Sequence, residues 1–104
     1  MFAIVSDRTS YLEMLSATIE LKHNCKAIHL ESVPVEEGID GHTVWSGIVE
    51  VFALVGHPYA HRCFAWVENP EEMRYEFVTV LQKGLVTSPE FAVKAWLASR
   101  PVTV

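Results

Sequence analysis

The chain is poor in basic residues, and those it has are scattered. Its 104 residues include eight Lys and Arg against 13 Asp and Glu, which gives a formal net charge of −5. Binding to a phosphate backbone needs clustered cationic side chains that displace counterions. Because no basic stripe runs along this sequence, we expect no nucleic-acid partner.

Long apolar runs are also missing. No stretch approaches the roughly 20 apolar residues that a membrane-spanning helix needs, so we expect no membrane partner. The short apolar run at residues 2–5 has no basic residue before it, which argues against a signal peptide. We therefore predict a cytoplasmic protein, in which Cys25 and Cys63 stay reduced.

No residue spacing in the sequence matches a catalytic or cofactor-binding motif better than chance, so we predict no cofactor. What it does carry is the composition of a folded protein, with half of its residues hydrophobic and 20% charged. A chain of this length fits one domain over residues 1–104. Function must then be approached through the predicted fold.

Hydrophobic periodicity and turn residues predict the order β-α-β-β-β-β-α. Hairpin connections favour a mostly antiparallel sheet of four or five strands, and we place both helices on one face of it. This is an α+β fold. The predicted strands are 2–6, 26–37, 43–55, 61–68 and 74–82, and the predicted helices are 11–23, capped by Ser10, and a second one capped by Ser88.

The predicted strands are apolar on both faces, whereas two helices of about 12 residues cover one face. A monomer rarely exposes more than a few hundred Å² of contiguous apolar surface. We therefore predict a homodimer that forms through the open face of the sheet. Alternatively, the sheet curls around a ligand pocket, or loops hide these side chains without functional meaning. The candidate interface residues are Phe52, Leu54, Phe64 and Trp66.

Glu50 lies between two valines in the longest predicted strand. A buried carboxylate is costly unless it is paired, and burial favours the protonated form that general acid catalysis uses. Glu50 could act with His42 or His61 across the sheet, and Glu50 and His61 are the candidate catalytic residues. The alternative is an ordinary cross-strand ion pair with Arg62 or Arg74.

Aromatic residues in three predicted strands could stack a planar ligand. Strand aromatics more often belong to a core or an interface, and both interpretations stay open. The candidate ligand-binding residues are Trp45, Glu50, Trp66 and Tyr75.

Two segments, 23–29 and 57–63, each hold two histidines and one cysteine. If they were adjacent, four of these groups could bind zinc tetrahedrally, with His57, His61 and Cys63 as the candidate ligands. The spacing differs from known zinc patterns, so we expect no metal. Neither thiol is expected at a helix N-terminus, which would activate it as a nucleophile.

No specific biochemical activity follows from these patterns. We predict a small soluble binding or interaction module that homodimerises through its sheet. The alternative is a small-ligand pocket protein, or a minor enzyme that uses a sheet carboxylate and a histidine. A zinc-binding protein is the weaker alternative.

Overall fold

Among the residues that the structure describes, four antiparallel strands form one sheet. The computed structural model describes residues 8–71 and 74–99, and it confirms an α+β fold. The strand predicted at 2–6 lies outside the described residues. The elements are α1 (Arg8–His23), β1 (Lys26–Ile39), β2 (His42–Val55), β3 (Arg62–Glu71), β4 (Arg74–Leu81) and α2 (Pro89–Ser99).

The strands follow one another in the sheet in the order β1-β2-β3-β4. β1 and β2 make a long hairpin that turns at Asp40 and Gly41, whose φ angles are 54° and 79°. Two successive positive φ angles define the type I′ turn, whose twist matches that of paired strands. The Asp-Gly pair therefore sets the register of the strands next to the turn, where Ile39 lies opposite His42.

Helix α1 contributes Leu15 and Ile19 to the core, four residues apart and so on one side of the helix. The helix already includes Arg8, so the predicted start at residue 11 with Ser10 as the cap is wrong. Within the described ranges, no helix has the length and apolar character to cross a membrane.

Two helix ends follow from local chemistry as predicted. After α1, Asn24 takes a φ of 53° and donates its N–H to the carbonyl of Glu20 at 2.9 Å, an arrangement that ends a helix. At the start of α2, the hydroxyl of Ser88 accepts the N–H of Phe91 at 3.3 Å, which satisfies an otherwise unpaired amide.

The two helices pack against opposite faces of the sheet. Phe52 lies opposite Cys63, and the adjacent Val51 lies opposite Phe64. Since neighbouring residues of a strand point to opposite faces, the first pair belongs to the face under α1 and the second to the face under α2. The prediction of both helices on one face is wrong. We call these two surfaces the α1 face and the α2 face.

The predicted dimer interface is buried within a single chain. Phe52, Leu54, Phe64 and Trp66 are 0%, 7%, 2% and 1% exposed. The first two lie under α1 and the other two under α2. An uncovered apolar face was the reason to expect a dimer, and that reason is wrong. Homodimerisation itself stays a prediction without this support.

A β-bulge interrupts the pairing of β1 with β2. The register advances by two residues in β1, from His29 to Glu31, while β2 advances by one, so Leu30 has no partner. The bulge brings His29 and Ser32 onto the same face, although a regular strand would point them to opposite faces. The strand predicted at 26–37 therefore departs from regular alternation beyond His29.

The middle strands β2 and β3 pair over a short stretch, residues 50–53 with residues 62–65. Continuing this register would next place Val49 opposite Trp66, but no such pair forms among the described residues. Both strands remain paired with their outer neighbours beyond this point. The sheet thus parts between β2 and β3, and the candidate site lies where it parts.

Candidate functional site

A cavity of about 720 Å³ occupies the region where β2 and β3 part. Residues of α1 and of strands β2, β3 and β4 line it. Pockets for small organic molecules span about 300 to 1,000 Å³ and are mostly apolar with a few placed polar groups. We call this cavity the cleft.

Two tryptophans connect the walls of the cleft. The rings of Trp45 on β2 and Trp66 on β3 meet edge to face, with centroids 5.5 Å apart. Both indole N–H groups donate to one carboxylate oxygen of Glu68, Trp66 at 2.9 Å. Together these three side chains join β2 to β3 where the backbones no longer pair.

Gly47 makes room for the Trp45 ring. A Cβ atom at position 47 would lie 2.9 Å from that ring, closer than carbon atoms approach without displacement. The glycine therefore lets the indole fold back across β2 and reach Glu68.

Glu50 is the most buried polar group that lines the cleft, at 1% exposure. Its Oε1 lies 2.8 Å from Nε2 of His29 and accepts the hydroxyl of Ser32. Arg8 lies farther off, with its Nη2 at 3.8 Å from the same oxygen, and also bonds Ser32. A buried carboxylate is tolerated when it is partnered in this way.

The β1 bulge completes this convergence, because it places Ser32 opposite Glu50, on the face that His29 already shares. Sequence reasoning missed Ser32 because it assumed an uninterrupted strand, and it considered only His42 and His61 as histidine partners of Glu50. A carboxylate held by an imidazole and a hydroxyl can accept a proton or a hydrogen bond from a bound molecule.

Tyr11 brings a hydroxyl from α1 to the same cleft. Burial, with the nearby Glu50 carboxylate, raises the pKa of this phenol, and a backbone hydrogen bond with Val67 acts in the opposite direction. The hydroxyl is therefore neutral near pH 7. Val67 lies two residues beyond Ala65, the last residue of β3 that pairs with β2, so Tyr11 meets β3 just beyond the point where the ladder ends.

The structure places all four predicted ligand-binding residues around the cleft: Trp45, Glu50, Trp66 and Tyr75. Tyr75 is 54% exposed, at the opening of the cleft. Trp66 is buried and also packs against Trp96 of α2. No sequence pattern indicated Arg8 or Glu68, which also line the cleft.

The histidine that contacts Glu50 is His29 and neither of those predicted. Glu50 lies opposite Ala65, four residues from His61, which corresponds to about 13 Å along the strand. His42 lies at the other end of the hairpin, opposite Ile39. The predicted pairs of Glu50 with His61 or His42 are therefore not formed.

The predicted arginine partners of Glu50 were Arg62 and Arg74. Arg62 lies opposite Ala53, on the other face from Glu50. The side chain of Arg74 lies outside the described part of the structure. Among the side chains that the structure describes, Arg8 of α1 is the arginine near the carboxylate.

The candidate zinc ligands have other roles or settings. His57 Nδ1 accepts the amides of Tyr59 and Ala60 at 3.3 and 3.1 Å, which holds the turn after β2. Cys63 is fully buried, and burial raises the pKa of its thiol to about 12. Across residues 8–71 and 74–99, neither these two nor His61 belongs to a group of three or more potential metal ligands.

Comparison with known proteins identifies no relative. The chain matches no family model, no curated protein and no solved structure. The candidate site therefore has to be interpreted from its own geometry.

Proposed function

We propose that this protein binds a small organic molecule in the cleft between β2 and β3. The observation that supports this most is the cleft itself, about 720 Å³ in volume and lined by aromatic rings with a partnered carboxylate. Aromatic walls exclude water from an apolar ligand, and a few fixed polar groups orient it.

The proposal relies on polar groups that are already in place. Glu50 is held by His29 and Ser32, and Glu68 is held by two indoles. A ligand that meets such groups does not have to order them first, which lowers the entropic cost of binding.

The proposal includes a cytoplasmic location. The supporting observation is that Cys25 and Cys63 are both free thiols, as expected in a reducing compartment. Fractionation of the native host would test this part independently of ligand binding.

Thermal unfolding in the presence of a panel of metabolites tests the binding proposal. A ligand that binds the folded state stabilises it, by about 2.7 kcal/mol at 100 times its Kd. This corresponds to a rise in Tm of roughly 10 °C or more for a domain of this size. We expect at least one compound of the panel to raise Tm.

Two matched variants locate the binding. Ile48 lines the cleft and is 47% exposed, whereas Ile28 is 56% exposed and lies outside it. Ile48→Trp should fill the cleft and abolish the rise in Tm, while Ile28→Trp should preserve it. A panel without any stabilising compound, or an equal rise in both variants, would contradict the proposal.

A further inference from the structure

We propose that the ligand of the cleft is an organic cation, an ammonium group carried on an apolar or aromatic body. This inference rests on the proposed function and adds the chemical class of the ligand. Its basis is the combination of charges and rings that line the cleft.

The charged lining is acidic on balance. Among the described residues that line the cleft, Glu50 and Glu68 carry carboxylates and Arg8 carries a guanidinium. The side chain of Arg8 is 60% exposed and is engaged with Ser32 and Glu50. A ligand anion would therefore meet two carboxylates and a cation that already has partners.

Glu68 has capacity for a further donor. One of its oxygens, Oε2, accepts both indole N–H groups. A carboxylate offers about four lone-pair sites on two oxygens, so an ammonium can bind the same group without displacing either indole. The two indoles in turn fix the carboxylate beside their own rings.

Aromatic rings surround this acidic lining. Trp45, Trp66, Tyr75 and Phe77 all line the cleft. Ring faces attract cations, tryptophan most strongly, and the attraction grows when water is excluded. Rings and carboxylates together select an ammonium over a neutral or an anionic group of the same size.

The charge of the whole chain acts in the same direction. The formal net charge of −5 produces a negative potential that raises the local concentration of cations and lowers that of anions. This contribution weakens as salt is added, so the preference for a cation should be largest at low ionic strength.

Three probes with the same phenylethyl body test the inference: phenethylamine, 2-phenylethanol and 3-phenylpropanoate. Calorimetric titration at pH 7 and low salt compares a cation, a neutral molecule and an anion. We expect the amine to bind about tenfold more tightly than the alcohol, and the carboxylate to bind most weakly.

A charge-removing variant shows whether the cleft causes this preference. Glu68→Gln keeps an oxygen that can accept an indole N–H but loses the charge, so it should weaken the amine about tenfold and leave the alcohol unchanged. Glu31→Gln removes the same charge from an exposed residue outside the cleft and should change neither.

The possible failures are distinguishable. Equal binding of the three probes, or tighter binding of the carboxylate, overturns the cationic class and leaves the proposed function standing. The cationic class is also overturned, and the proposed function stands, if no probe binds while a panel compound raises Tm and Ile48→Trp abolishes that rise. If neither probes nor panel bind, the proposed function is overturned as well.

Discussion

The two ends of the β2–β3 boundary differ in how they are filled. Where the strands pair, at residues 50–53 and 62–65, Phe52, Cys63 and Phe64 are buried under the helices. Where the strands part, Trp45 and Glu68 bridge the boundary through side chains. Backbone pairing and side-chain bridging are thus alternative ways of joining two strands, and the second leaves space for a ligand.

Glu50 marks the transition between the two ends. It is the last residue of β2 that pairs with β3 toward the cleft, and it is also the buried carboxylate of the cleft. A polar residue in an apolar strand therefore indicates the point where the sheet stops being continuous.

The reactivity of thiols should show the largest contrast between the two ends. Cys63 is buried at the paired end, and the raised pKa of its thiol, about 12, keeps it protonated. In a Cys25→Ser background, we expect Cys63 to react with a disulfide reagent at least about a thousandfold more slowly in the native than in the unfolded protein. Absorbance of the released thiolate measures both rates.

A cysteine at the parted end supplies the control. Ser46 is exposed and lines the cleft, so Ser46→Cys in the same background should add one fast-reacting thiol. Two equally fast thiols in the native protein would show that the paired end opens readily, and the contrast would fail.

Truncation of one ring at each end should give the next largest difference. Phe52→Ala should lower the free energy of unfolding by about 3 to 5 kcal/mol, because it leaves a cavity under α1. Tyr75→Ala, at the exposed opening of the cleft, should cost less than about 1 kcal/mol. Urea unfolding measures both, and similar costs would mean that the two ends are packed alike.

The contact between His29 and Glu50 should have a smaller effect. A hydrogen bond to a charged group contributes about 1.5 to 3 kcal/mol, and the partial exposure of His29 reduces this. We expect a coupling energy of about 1 kcal/mol between His29→Ala and Glu50→Gln in a double-mutant cycle. Additive effects on unfolding would show that the contact contributes nothing.

The smallest effect should come from the titration of His23, whose Nε2 lies 2.9 Å from Oγ1 of Thr79. Thr79 lies on β4 opposite Ala65, a residue of β3 that also pairs with β2. Burial, aided by Lys22 and His57, lowers the pKa of His23. The folded protein therefore binds fewer protons than the unfolded chain below pH 6.5, and stability should fall as the pH drops from about 7.

His23→Gln, which can still bond Thr79, should flatten this pH dependence of Tm. The exposed His42 offers a matched control, and His42→Gln should leave the slope as it is. An unchanged slope in His23→Gln would remove His23 as a source of the acid sensitivity.

Much of the fold follows from local sequence chemistry. The Asp40-Gly41 turn, the stop at Asn24 and the Ser88 cap act through neighbouring backbone atoms, so the sequence predicts them directly. The placement of the helices does not follow in this way. Strands apolar on both faces are equally expected when each face has its own helix, and the sequence cannot say which face a helix covers.

The residues of the candidate site also divide into those that local sequence indicates and those that depend on strand register or packing. Trp45, Glu50 and Tyr75 are prominent in the sequence because they are aromatic or charged residues within strands. Ser32 escaped prediction as a partner of Glu50, since a one-residue bulge moves it onto the face of His29 and Glu50. Arg8 reaches the cleft from a docked helix, and docking depends on packing that no local pattern records.

A nuclear magnetic resonance titration with phenethylamine shows directly whether a ligand binds where β2 and β3 part. On binding, we expect shifts of the indole N–H signals of Trp45 and Trp66 and of the amide signal of Val67. The amides of Phe52 and Cys63 at the paired end should stay in place. Shifts that spare the two indoles, or that centre on the paired end, would contradict a ligand site where β2 and β3 part.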